Sequence, residues 1–194
     1  MKYENKKIAG LLLIIGGIQC ILAITIAEAL YPGYSISENW ISDLGVGPSA
    51  FIFNSSIFLL GVLGVAATYF IQRVSNSKVL PILYTIASVG AMGVGLFTED
   101  VLVLHAIFSL ITFIFAGLSA IISYKMQKPP LSYLSVMLGA FALLAIVFTF
   151  SGTYLGLGKG GMERMIAYPV LLWVVGFGGY LIGSSSDISE ASKL

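Results

Sequence analysis

The stretch GLFTEDVLVLHAIF, residues 95–108, sets adjacent carboxylates, Glu99 and Asp100, just ahead of the only histidine in the chain, His105. A carboxylate within reach of an imidazole is a minimal acid–base pair, because the acid orients the ring and fixes its tautomer. His105 is therefore a candidate base, with Asp100 or Asp43 as the orienting group. A nucleophile is harder to find: Ser42 is one candidate hydroxyl, and a hydrolytic water would serve equally. Arg164 would stabilise developing negative charge or pair with a bound anion. Trp40 would cover the entrance to such a pocket, and Asn54, Glu163 and Tyr168 are further candidates for its walls. One cysteine and one histidine make no metal-ligand cluster, so neither metal nor cofactor is expected. The segment GTYLGLGKGG, residues 152–161, lacks the spacing and the hydroxyl after Lys159 that a phosphate-binding loop requires.

Each of these residues also has a purely structural reading. Asp100 suits the N-cap of a helix that begins beside it, where a negative charge complements the helix dipole. His105, Ser109 and Thr112 recur at helical spacing and form one polar stripe about a turn or more below Asp100. Asn54 lies at a similar depth in the preceding apolar run. Such groups cost several kcal/mol in hydrocarbon when left without partners, so they should face inward and find one another or water. Arg164 stands near the start of the last apolar run, the wrong end of the dipole for a cation. A carboxylate should compensate it, with Asp43, Glu38 and Asp100 as the expected partners.

The elements that position these residues are set by composition. Only 10% of the residues are charged and 58% are hydrophobic, against about 25% charged in a soluble domain. Six apolar runs, at about 8–30, 49–72, 79–97, 101–124, 131–151 and 164–183, each have the roughly 20 residues needed to cross a bilayer. They do not alternate as barrel strands would. The expected fold is all-α, a polytopic membrane protein with a bundle of six transmembrane helices. Residues 1–183 form a single domain and 184–194 a polar, unstructured tail on the cytoplasmic side. The N-terminal run is too long for a secretion signal and is expected to remain as the first helix. The loop between the first two helices, about eighteen residues long, is expected to form an extracytoplasmic cap.

Orientation follows from the basic residues. With both termini cytoplasmic, Lys2, Lys6, Lys7, Arg73, Lys78, Lys125, Lys128 and Lys193 fall inside, and only Lys159 and Arg164 fall outside. A net charge of +1 gives no field suited to nucleic acid. Gly176, Gly179 and Gly183 in the last run, and Gly90, Gly93 and Gly95 in the third, are expected mainly to let helices of the same chain approach closely, with a dimer seam as the alternative.

Three segments, ENWISDLGVG, GLFTEDVLVLHAIF and GMERMIAYPVLLW, occur in an order that resembles the six-helix prokaryotic membrane family catalogued as domain of unknown function 998. The resemblance covers nearly the whole chain. It implies the fold and draws attention to Ser42, Asp43, Gly45, Asp100, His105, Glu163 and Arg164, but it carries no activity. Three functions fit these residues. The first is an outward-facing polar pocket that binds a lipid head group or small polar ligand. The second is a membrane-embedded lipid-modifying enzyme using His105 with Asp43 or Asp100. The third is an accessory or scaffold subunit of a membrane complex. The expected setting is the cell membrane, and the expected partners are membrane lipids, with a second copy or another membrane protein as further candidates.

Overall fold

The computed structural model describes the backbone of residues 2–191 and the side chains of residues 3–185. Six α-helices make up the fold: α1 (Lys2–Leu30), α2 (Ala50–Ile71), α3 (Val79–Leu96), α4 (Leu102–Ile122), α5 (Leu131–Phe150) and α6 (Gly158–Ala191). Short 3-10 turns occur at Ser42–Gly45 and Ser123–Met126, and there is no strand among the described residues. All six helices are long and apolar enough to cross a membrane.

The helices form a closed ring. Each packs against its neighbours in sequence, α6 returns to α1, and α6 also touches α4. Where two helices cross closely, glycine makes room, as expected when packing rather than hydrophobic drive holds helices together. A Cβ on Gly10 would strike the Gly178 carbonyl, and one on Gly139 would strike that of Gly117. Gly90 and Gly93 of α3 receive Thr112 and Phe108 of α4, and Gly95 lies against the backbone of Asn54 and Phe58. The α6 glycines depart from expectation, because Gly176, Gly179 and Gly183 have open space where a side chain would go. Gly178, on the opposite face, makes the close approach instead.

Two boundaries differ from the sequence reading. α6 begins at Gly158, six residues before Arg164, because Gly158 adopts a positive φ of 72° and turns the chain directly into the helix. Arg164 consequently lies in the second turn and not at the exposed end. At its other end α6 runs on to Ala191, so the polar stretch from Ser184 continues the helix; residues 192–194 lie outside the described residues.

The packed centre of the ring is built around Trp173, which is 1% exposed. Its ring stacks on Phe177 at 5.7 Å and meets Tyr84 edge-on at 5.4 Å. Its Nε1–H donates to the Ser123 hydroxyl at 2.9 Å, so a buried polar atom is satisfied within the core.

Candidate functional site

At the end of the bundle that holds the α1–α2 loop, the first two turns of α6 are stitched to that loop. Gly160 N–H donates to the Ser37 carbonyl at 3.0 Å. Arg164, 4% exposed, forms an ion pair with Glu28 of α1 at 2.5 Å. It also donates to the Tyr34 hydroxyl at 2.8 Å and to the carbonyls of Ile36 at 3.1 Å and Gly160 at 2.9 Å. Tyr34 passes the link on by donating to the Trp40 carbonyl at 2.9 Å. Burial pushes its phenol up to about 12, so it stays a donor at any physiological pH. The Glu163 carboxylate accepts from the Ile41 N–H on the next face of α6.

This close seam requires a glycine at position 160. A Cβ there would lie inside the contact distance of the Asn39 and Ile36 carbonyl oxygens. Gly160→Ala is expected to destabilise the fold by about 1–3 kcal/mol, as overpacking does, and to expose the α1–α2 loop to limited proteolysis. An unchanged cleavage rate would show that the seam gives way without cost.

Beneath the seam lie two cavities with a common wall of Ser42, His105, Ser109, Phe113 and Glu163. The inner cavity, about 80 Å³, is apolar apart from this wall and Thr112, and reaches Cys20, Phe53 and Leu171. The other, about 310 Å³, extends from Trp40, Glu99 and the common wall to Leu102 and Leu110 of α4 and Ile146 and Phe150 of α5. Its far rim faces outward, with Leu102 67% and Phe150 75% exposed.

His105 is 7% exposed, and its Nδ1 lies 2.8 Å from the Phe97 carbonyl, which can only accept. Nδ1 therefore carries a proton, and in the tautomer this fixes Nε2 is the acceptor. No protein partner is found for Nε2 among the described residues. The geometry arises from the end of α3, where Phe97 turns extended and aims its carbonyl at the first turns of α4.

Glu99 lies in the α3–α4 loop with Oε2 buried and without a partner. Its carboxyl is raised to about 7 by burial and by the adjacent Asp43 carboxylate, against the opposing influence of Ser42 and Lys159. Asp43 is held by Asn39 Nδ2 at 2.8 Å and by the Trp40 N–H at 3.0 Å. Trp40 meets Tyr154 edge-on, and the Lys159 ammonium lies 5.7 Å from its ring centre.

The candidate residues thus divide into groups. Ser42, His105 and Glu163 line both cavities, Trp40 lines the larger, and Asp43 supports the wall through Glu99. The stripe of His105, Ser109 and Thr112 faces the inner cavity as its spacing requires. Asp100 is corrected: it is exposed, takes the Thr98 hydroxyl, and neither caps α4, whose N-cap is Val101, nor touches His105. A backbone carbonyl occupies the position on Nδ1 where an orienting carboxylate from Asp100 or Asp43 was expected. Arg164 is compensated by a carboxylate, but that of Glu28 and not of Asp43, Glu38 or Asp100, and its guanidinium belongs to the seam. Asn54 donates to the Gly45 carbonyl at 2.8 Å, which anchors the loop, and Tyr168 packs among Ile24, Ile41 and Leu171. Neither lines either of these two cavities.

Glu28 and Tyr34 escaped the sequence reading, although a carboxylate in the last turn of an apolar helix is itself a signal that a cation must come to meet it. Among the described residues no group of three or more His, Cys, Asp or Glu side chains is placed to hold a metal ion. No curated protein and no solved structure is significantly similar to the chain. A family model described as Protein of unknown function (DUF998) matches residues 14–180. This match takes in the seam, both cavities, α2 to α5 and most of α1 and α6, and the chain belongs to that family.

Proposed function

We propose that the protein binds an amphiphile, a lipid or lipid-like molecule, in the larger cavity. The head would lie against Ser42, Glu99, His105 and Glu163, and the chain would run out between α4 and α5. The observation that carries this reading is the cavity's gradient: polar at the wall beneath the seam and apolar where it opens between exposed Leu102 and Phe150. Sites for small molecules are concave and mostly apolar with a few convergent polar groups, and a volume of about 310 Å³ lies at the lower end of their usual range. The concentration of basic residues at the opposite end of the bundle supports placing this site on the extracytoplasmic side, with both termini cytoplasmic.

The test fills the cavity. Ser109 lines it, whereas Met137 is 66% exposed on α5 and lines neither cavity. Wild-type protein purified in mild detergent is expected to carry about one amphiphile per chain by mass spectrometry of the intact complex. Ser109→Trp should lower that occupancy about tenfold, and Met137→Trp should leave it unchanged. Equal occupancy in all three proteins would overturn the reading.

A further inference from the structure

The same cavity has a sign of charge. Its polar end presents the carboxyls of Glu99 and Glu163, with Asp43 directly behind Glu99. Of the nearby cations, Arg164 is engaged elsewhere, and only Lys159, at the Trp40 edge of the cavity, bears on Glu99. Arg164 is held by Glu28, Tyr34 and two carbonyls, and the Lys159 ammonium lies over the Trp40 ring. An anionic head group would therefore meet carboxylates and find no free guanidinium. Two further observations indicate what would fit. His105 is more than nine-tenths buried in the common wall, and its Nε2 is an acceptor without a protein donor. Glu99 Oε2 is a second buried acceptor with no donor. A guest that supplies several N–H donors and a positive charge completes both.

Resting on the amphiphile reading, we propose that this pocket selects a protonated primary amine head group, donating to Glu99 Oε2 and His105 Nε2 and balanced by the Glu163 carboxylate. Three donors on a compact ammonium suit acceptors that line one cavity from the α3–α4 loop, α4 and α6. An alcohol of the same size would bring one donor and no charge.

This assignment has a pH signature. The groups facing Glu99 are Asp43 and Ser42 from the 3-10 turn, Glu163 and Lys159 from α6, and His105 from α4. In the empty pocket Glu99 gives up its proton at about 7. An ammonium guest favours the ionised form, so binding releases that proton, is full strength above pH 7 and weakens as pH falls below it. Between pH 6 and 8 the ionised fraction of such a group rises about tenfold, and affinity should follow.

The experiment titrates the full chain in maltoside micelles with dodecylamine, dodecanol, dodecyl phosphate and ethylamine. Dodecylamine should bind at least about tenfold more tightly than dodecanol, as a close charge pair would give. It should outcompete dodecyl phosphate by more, and it should tighten about tenfold from pH 6 to 8. Ethylamine, which has the charge without the chain, should bind weakly, which separates a lipid amine from a free one. Glu99→Gln should reduce the pH dependence, the Glu163 carboxyl accounting for what is left. Dodecanol or dodecyl phosphate binding as well as dodecylamine, or ethylamine binding as well as either, would overturn the amine assignment. So would a flat pH profile in the wild type. Saturable binding of any chain-bearing probe that is lost in Ser109→Trp would still leave the amphiphile site standing, and its absence would remove both.

Discussion

Replacing Arg164 by methionine is expected to destabilise the folded chain by about 3–5 kcal/mol, the usual cost of removing one partner from a buried ion pair. The substitution keeps much of the side chain's volume but leaves the Glu28 carboxylate, which is 18% exposed, without its cation. The Tyr34 hydroxyl and the Ile36 carbonyl lose their donor at the same time. Arg164→Lys should recover little, because one ammonium cannot span acceptors that the guanidinium reaches with both Nη1 and Nη2. Glu28→Gln together with Arg164→Met should be less damaging than Arg164→Met alone, since the stranded charge is gone. Unfolding midpoints in a denaturing-detergent titration check the order, and an Arg164→Met midpoint close to wild type would show that the pair is solvated and dispensable.

Truncating Trp173 to alanine should cost about 3–5 kcal/mol for a different reason. In lipid the surroundings are as apolar as the core, so the loss comes from vacated contacts with Tyr84 and Phe177 and from the void left behind. Trp173→Phe retains most of that contact and loses the bond to Ser123, so it should cost about 1–2 kcal/mol. The same titration ranks the two. A phenylalanine variant as unstable as the alanine one would mean that the polar link to Ser123, and not ring packing, holds this part of the core.

The apolar runs made the six helices legible, because spanning length and charge scarcity are properties of the chain itself. The polar stripe on α4 was legible for the same reason: His105, Ser109 and Thr112 share a face by helical spacing alone, and all three line one cavity. Partner choice was not. Asp100 and Glu99 are neighbours in sequence, but Phe97 leaves α3 extended, which sends Glu99 inward and Asp100 to the surface. A periodic pattern carries no information about a loop of that kind. Arg164 was recognisably in need of a carboxylate, yet which one depended on α6 closing the ring against α1, a contact between residues 136 positions apart. The glycines of α6 failed in the same way, since sequence gives their spacing and only the ring order determines whether Gly178 or the Gly176, Gly179 and Gly183 face meets a neighbour.

The seam between the α1–α2 loop and α6 has a kinetic consequence. A loop fastened through Glu28, Tyr34, Ser37 and Ile41 does not lift readily, so on the proposed reading a guest would be slow to enter by displacing it. Any guest would exchange sideways with the surrounding leaflet. Its occupancy would then track its mole fraction among the lipids, whatever its solubility in water.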